Sequence, residues 1–111
     1  MSVESWSDRV LLAELENDPG FSDDAAALIE QCEANAEFSA LLNFAEVTFL
    51  NSSNISALLK LRKIIKSKND RRLLLCGLSR QVWGVFLVTG LDHMFEVAED
   101  VPSGLAMMQM S

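Results

Sequence analysis

The stretch Val47-Thr48-Phe49-Leu50-Asn51-Ser52-Ser53-Asn54-Ile55 marks the point where the sequence changes character. An apolar, strand-like run ends at Leu50, small polar residues follow, and an amphipathic basic helix continues to about Lys68. Asn51 or Ser52 is expected to cap this helix, because Asn and Ser side chains accept hydrogen bonds from the free N–H groups of a first turn. The stretch therefore predicts a strand-to-helix turn that presents two serine hydroxyls.

Two interpretations of Ser52 and Ser53 stay open at this point. In the simpler one, the serines only cap the helix. In the other, one of them accepts a phosphate, which the N–H donors and the partial positive charge of a helix N-terminus would favour. The helix that follows has an apolar face and a basic face, and the basic face is either a solvated surface or a docking surface. The apolar face contains Ile55, Ala57, Leu58, Leu61, Ile64 and Ile65, and the opposite face contains Ser56, Lys60, Lys63 and Ser67.

The residues before this turn predict a strand, a helix and a second strand. Arg9–Leu15 is the first strand, residues 16–20 form a turn around Pro-Gly, and Ser22 caps a helix that ends near Asn35. Phe38–Phe44 is the second strand, which continues into Val47–Leu50 with or without a short interruption. Residues 1–8 are expected to be a loose arm, pinned to the body by Trp6.

The residues after the basic helix repeat the alternation. Asn69-Asp70 forms a turn, Arg71–Gly77 is a buried strand, and Ser79 caps a third helix that ends at Gly90. On this helix we expect Val82, Val85, Phe86 and Thr89 to face inward. Trp83 and Leu87 lie on a different side, where they are either covered by a neighbouring element or exposed to a partner. Leu91–Val97 is a turn and short strand, and 100–109 is a last helix, with Val101, Leu105 and Met108 inward.

Strands that alternate with helices in 111 residues predict an α/β fold with one small, largely parallel sheet. We expect a single domain over residues 1–111, because the chain can bury one core but is too short for two.

Composition and charge exclude several classes of function. The net charge of −7 argues against nonspecific binding to nucleic acid and to anionic membranes, which both need a basic surface. No apolar run is long enough to insert into a membrane, and residues 1–8 lack the pattern of a signal peptide. Cys32 and Cys76 are too few for a disulfide framework or a zinc site. The expected location is the cytoplasm, with both thiols reduced.

Catalytic and cofactor motifs are absent from the sequence. His93 stands alone in a turn without metal-ligand spacing, neither cysteine lies in a CxxC, and no glycine-rich phosphate loop occurs. A small enzyme that used Ser52 would need a base, and no residue is an evident candidate. We therefore predict no enzymatic activity, no cofactor and no metal.

Two segments together resemble the STAS domain family, as found in anti-sigma factor antagonists. Residues 47–59 resemble the signature in which a strand leads into Asp-Ser-Ser-Gly and an apolar helix. Residues 79–97 resemble a later segment, in which a capped helix ends in Thr-Gly-Leu before an aromatic strand. The resemblance covers residues 38–110. It implies a STAS-like fold, with a four- to five-stranded mostly parallel sheet and helices packed mainly on one side.

The resemblance also implies partner switching. Such antagonists bind an anti-sigma factor that is a serine protein kinase, and they release it when the first serine of the signature is phosphorylated. By position this acceptor is Ser52, with Ser53 as the fallback. Asn51 and Asn54 stand where the family usually has Asp and Gly. The expected partner-binding residues are Asn51, Asn54, Ile55, Ser56, Lys60, Trp83 and Leu87. The alternative is a constitutive STAS subunit, in a lipid-transport ABC complex or a signalling scaffold, without a phosphate cycle.

Overall fold

The computed structural model describes residues 3–7, 9–67 and 71–109, and in these ranges the chain forms one five-stranded sheet with four α-helices. The strands, in spatial order, are β1 (Val3–Ser5), β2 (Val10–Glu16), β3 (Ser39–Glu46), β4 (Leu73–Cys76) and β5 (Glu96–Ala98). The helices are α1 (Gly20–Ala34), α2 (Ser52–Lys66), α3 (Arg80–Thr89) and α4 (Val101–Gln109). Strands β2 to β5 pair in parallel and β1 pairs antiparallel with β2, which confirms the predicted α/β fold with a mostly parallel sheet.

The two faces of the sheet carry separate cores, because neighbouring residues of a strand point to opposite faces. On β2, Leu11, Ala13 and Leu15 face a core that also contains buried residues of α1, α2 and α3. Val10 and Leu12 face the other side, where α4 contributes Met108. Three helices therefore cover one face and one helix covers the other, as expected for helices packed mainly on one side.

The expected loose arm at residues 1–8 is wrong for Val3–Ser5. These residues form β1, with Val3 opposite Ala13 in the antiparallel ladder and buried in the core. The backbone N–H of Trp6 donates to the Val10 carbonyl at 2.9 Å, whereas the indole side chain remains 42% exposed. The pairing of β1 with β2 and the buried Val3 side chain, rather than the Trp6 indole, therefore attach this segment to the rest of the domain. Residues 1, 2 and 8 lie outside the described residues.

The expected strand over Val47–Leu50 is also wrong, because β3 ends at Glu46. The Val47 N–H turns back to the Phe44 carbonyl at 2.9 Å, which interrupts the extended ladder. Val47 and Leu50 are nevertheless buried, while Thr48 and Phe49 between them are exposed. The apolar character of this segment therefore comes from a loop packed on the core rather than from pairing in the sheet.

Helix α1 starts earlier than predicted and has a different cap. It begins at Gly20, so Ser22 lies within the first turn rather than before it. The Asp18 carboxylate accepts both the backbone N–H and the hydroxyl of Ser22, at 2.8 and 2.7 Å. Asp18 thus supplies the acceptor that the sequence pattern assigned to Ser22.

Helix α3 has the predicted ends but a narrower buried face. Ser79 accepts the Val82 N–H at 3.1 Å, and Gly90 ends the helix at a left-handed φ of 77°. Val82 and Phe86 are buried as expected, but Val85 is only partly buried and Thr89 is exposed. The predicted inward position of Thr89 is wrong, since its hydroxyl donates to the Val85 carbonyl at 2.7 Å on the outer side.

Arg71 lies just before β4 and connects the C-terminal ends of α1 and α2. Its side chain is buried, and its guanidinium donates to the Cys32 carbonyl at 3.0 Å and to the Ile64 carbonyl at 2.6 Å. Longer bonds reach the carbonyls of Asn35 and Phe38, both at 3.4 Å. Strand β4 itself starts at Leu73, and the predicted turn at residues 69–70 lies outside the described residues.

Candidate functional site

Helix α2 begins at Ser52 and is capped by a reciprocal pair of asparagines. The Asn51 side-chain oxygen accepts the Asn54 N–H at 2.8 Å, and the Asn54 side-chain oxygen accepts the Asn51 N–H at 3.2 Å. Asn51 has extended backbone angles, as an N-cap residue requires. This is a capping box with Asn in the third helical position, where Glu or Gln is more usual. The cap fixes the first turn of α2, and with it the positions of Ser52 and Ser53.

The carboxylate of Asp18 joins this cap to helix α1. One of its oxygens accepts the side-chain amides of Asn51 and Asn54, at 2.8 and 3.0 Å, and the other accepts the two Ser22 bonds. Hydrogen bonds from Ser22, and then from Asn51 and Asn54, lower the pKa of Asp18 to about 2. Asp18 is therefore charged at neutral pH. It supplies beside the cap the negative charge that Asn51 lacks.

Asn17 fixes the loop that precedes the cap. Its side-chain oxygen accepts the Thr48 N–H at 3.0 Å, with a longer bond from Phe49 at 3.4 Å, and its amide donates to the Thr48 hydroxyl at 2.8 Å. The loop between β2 and α1 thus holds the loop between β3 and α2 at Thr48 and Phe49 through Asn17, and at Asn51 through Asp18. These contacts explain why residues 47–51 keep a defined path without belonging to a strand.

Both serine side chains of the motif point to solvent. Ser52 and Ser53 are exposed in the first turn of α2, and neither hydroxyl has a hydrogen-bond partner in the part of the chain that the structure describes. Asn51, rather than Ser52, performs the capping, so the simpler interpretation of the serines as caps does not hold. The two hydroxyls therefore do not cap the helix. They lie at the helix N-terminus, where the helix dipole favours an anion.

The structure brings most of the remaining predicted α2 residues to one surface. Ser56 and Lys60 are exposed one and two turns after Ser52, while Ile55 is only partly exposed. Asn54 is the exception, since it is 1% exposed and both ends of its side chain are hydrogen-bonded. Asn54 therefore serves the cap within the chain and offers little surface, and its contact with a partner stays a prediction.

Trp83 and Leu87 lie on α3, away from the motif. Trp83 is partly buried and stacks on Phe86 with ring centroids 5.7 Å apart. Leu87 is 54% exposed, and the adjacent Val88, which sequence analysis did not single out, is 89% exposed. The outer face of α3 therefore presents Leu87 and Val88 to solvent, while Trp83 mainly supports the core.

Asn17 and Asp18 were missed as site residues because the sequence places them in an ordinary Pro-Gly turn. Their partners lie 31 to 36 residues away, so no local pattern connects them. The predicted parallel sheet was the signal that could have identified these two residues, because the loops that follow neighbouring parallel strands meet at one edge of the sheet. An Asn-Asp pair after β2 was therefore a candidate neighbour of the Asn-rich turn after β3.

Both thiols lie in the core. Burial raises the pKa of Cys32 and of Cys76 to about 11, which keeps them protonated and unreactive at neutral pH. Among the described residues no His, Cys, Asp and Glu cluster is suited to hold a metal ion. In the same residues no helix combines the length and apolar character needed to cross a membrane.

Comparison with known proteins identifies the family. The family model described as STAS domain matches residues 16–104. A STAS domain anti-sigma factor antagonist protein of Planctomyces limnophilus superposes with a TM-score of 0.83 at 18% identity, over 96% of this chain and 97% of that one. A sulfate transporter family protein of Wolinella succinogenes gives 0.78 at 20% identity, over 96% and 90%. The phosphorylated Bacillus cell fate determinant SpoIIAA gives 0.69 at 17% identity, over 98% and 97%. Comparison with curated protein sequences gave no significant match. The chain belongs to the STAS domain family.

Proposed function

We propose that the chain is an anti-sigma factor antagonist-like regulator whose binding to a protein partner is controlled by phosphorylation of Ser52. Ser53 is the second acceptor, the partner is an anti-sigma factor that is also a serine protein kinase, and residues 1–111 act as one domain in the cytoplasm. Membership of a family of binding and regulatory modules supports this role. The observation that carries the proposal is the exposure of both hydroxyls beside a cap that other residues form.

The docking surface runs from the cap along the exposed side of α2. Ser52, Ser56 and Lys60 are spaced four residues apart and therefore lie on one stripe of the helix, all exposed. Asn51 and Ile55 lie beside this stripe and are partly exposed. A partner that covers the stripe would also cover the Ser52 hydroxyl. The acceptor thus lies inside the proposed interface rather than beside it.

Phosphorylation would act through charge and desolvation. A phosphoserine carries about −1.5 to −2 charge at neutral pH. The Asp18 carboxylate already accepts from Asn51 and Asn54, so a phosphate at Ser52 would add negative charge to a negative cap. If the partner presents no cation here, a desolvated phosphate costs several kcal/mol, and affinity falls by about a hundredfold or more. No conformational change of the scaffold is needed.

The test is the binding of charge variants to the partner. We expect Ser52→Ala to bind the kinase partner as tightly as the unphosphorylated chain, and Ser52→Asp to bind it at least about tenfold more weakly. Ser53→Ala and Ser53→Asp place the same groups one residue further along α2 and show whether the second acceptor shares the effect. A phosphate-affinity gel of protein purified from its own cells measures the modification itself. Equal affinity for both Ser52 variants would refute the switch.

The alternative of a constitutive STAS subunit is favoured by the outer face of α3. Leu87 and Val88 are adjacent and exposed in a helix that carries no acidic residue, and contiguous exposed apolar surface marks sites of contact with other proteins. One of the structural neighbours is described as a sulfate transporter family protein. The same phosphate-affinity gel separates the two functions, because a constitutive subunit would show no phosphorylated form under any growth condition.

A further inference from the structure

A small cavity lies between the C-terminal half of α2 and the segment that leads into β5. Its volume is about 200 Å³, and it is lined by Arg62, Lys66, Leu73, His93, Met94, Phe95 and Glu96. Its buried lining residues, Leu73 and Phe95, are apolar, whereas Lys66 and His93 are exposed. The cavity is separated from Ser52 by most of the length of α2, about 20 Å at the usual rise of a helix.

The charges around this cavity are not balanced by its acidic residues. Glu96 is bound to Arg72 at 2.5 Å, a cation outside the cavity lining, and is therefore already neutralised. Asp92 lies 3.6 Å from the His93 ring. Helix α2 itself contains no acidic residue. Arg62 and Lys66 thus create a local positive field in a chain whose net charge is −7.

The Arg62 side chain is held in place by a backbone carbonyl. Its Nε donates to the Met94 carbonyl at 2.6 Å, and the side chain is only partly exposed. This bond uses one donor, and the two terminal nitrogens have no hydrogen-bond partner among the described residues. A fixed guanidinium loses less conformational entropy on binding than a free side chain, and its paired donors match the oxygens of a phosphate.

We propose that this cavity binds a phosphate group, either inorganic phosphate or a small phosphate monoester. Arg62 contributes paired N–H donors, Lys66 contributes an exposed ammonium, and His93 adds a donor at the opening. The apolar surface of Leu73 and Phe95 accommodates the carbon atoms next to an ester. The site is independent of Ser52, so its function does not rest on the proposed partner switch.

The test is a titration of the intact protein with inorganic phosphate at constant ionic strength. Binding is monitored through amide chemical shifts in NMR spectra. We expect saturable shifts centred on residues 62–66 and 93–96, with a dissociation constant near about 1 mM. Lys66→Gln should weaken binding by about five- to tenfold, because it removes one charged donor at a partly screened site. Arg62→Gln should weaken it further, but it also breaks the Met94 contact, so Lys66→Gln is the decisive variant.

Lys63→Gln is the matched control, because it removes the same charge from the same helix outside the cavity. It should change the dissociation constant less than about twofold. Equal losses from Lys63→Gln and Lys66→Gln, or shifts that do not saturate, would overturn the proposal. Glycerol 3-phosphate and vesicles that contain phosphatidic acid then distinguish the two sources of a phosphate monoester. Binding of the soluble ester identifies a metabolite, and binding to the vesicles alone identifies a lipid headgroup.

Discussion

Asp18 is the residue on which the geometry of the serine turn depends. It accepts hydrogen bonds from two asparagines of the α2 cap and from Ser22 of α1, so one carboxylate holds two helix N-termini. An amide at this position could satisfy Ser22 through its oxygen, but its NH₂ group would face the donor groups of Asn51 and Asn54. Since Asn54 is buried, its amide would lose a partner without gaining water.

We therefore predict that Asp18→Asn lowers the melting temperature at neutral pH. The melting temperature of this variant should also fall less steeply than that of the wild type as the pH is lowered. The pKa of Asp18 is about 2 in the folded chain and 3.8 in the reference state. A lowered folded pKa means that stabilisation is complete above about pH 4 and is lost as the pH falls towards 2. The measurement is the difference in melting temperature between wild type and Asp18→Asn from pH 7 to pH 2.

The control for this prediction is Asp23→Asn, in the first turn of the helix that Asp18 precedes. Asp23 is exposed, and the Asp23→Asn substitution removes the same formal charge near the same end of α1. Its effect should be smaller and should reflect only the helix dipole. The prediction fails if both variants show the same acid profile, because the hydrogen bonds of Asp18 would then contribute nothing specific.

At the scale of elements, Gly84 within α3 and Gly90 at its C-terminal cap have different conformational roles. Gly84 lies in the middle of the helix, and an added Cβ would meet no atom within 4 Å. Gly90 also has open space around it, but its φ is 77°. An added Cβ therefore meets no obstacle at either position, and the left-handed backbone of Gly90 is what makes a side chain unfavourable there.

We predict that Gly84→Ala stabilises the free protein by about 0.5–1 kcal/mol, because alanine favours the helix. Gly90→Ala should destabilise it by about 1–2 kcal/mol, because a Cβ is strained in the left-handed region. Chemical denaturation of both variants measures the two changes. If the outer face of α3 packs closely on a constitutive partner, Gly84→Ala should also weaken that complex despite the more stable fold. A loss of stability in Gly84→Ala would contradict the open space seen beside α3.

Several element boundaries could be predicted because their signals are local. Ser79 and Gly90 are three to four residues from the groups that they contact, and both ends of α3 were predicted correctly. Val47–Leu50 could not be assigned in the same way. An apolar loop on a core and a buried strand have the same composition, and the pairing that distinguishes them involves distant residues. The capping box was predictable in its position but not in its use of Asn54.

At the scale of the whole molecule, Arg71 replaces contacts that helix ends would otherwise make with water. Its guanidinium reaches carbonyls at the ends of α1 and α2 and in the loop before β3. The sequence gives no sign of this role, because an arginine before an apolar strand is more often a charged surface residue. The partners are 7 to 39 residues away and converge only in the folded chain.

We predict that Arg71→Lys destabilises the fold by about 2–4 kcal/mol. Lysine has a single ammonium, which cannot reach carbonyls in several directions, and the unsatisfied carbonyls stay buried. The free energy of unfolding from urea denaturation tests this value. Arg80→Lys is the matched control on an exposed residue and should change it by less than about 0.5 kcal/mol. Equal effects of the two substitutions would show that the buried contacts of Arg71 are not stabilising.

The hydrogen bonds from Asn17 and Asp18 to residues 48–54 have a consequence for any enzyme that modifies this chain. A synthetic peptide of residues 47–60 would lack both side chains and would sample many conformations, since short helices are marginal in water. An enzyme selective for the capped geometry would ignore such a peptide and would also ignore newly made, incompletely folded copies. The modification state would then report only on molecules that have finished folding.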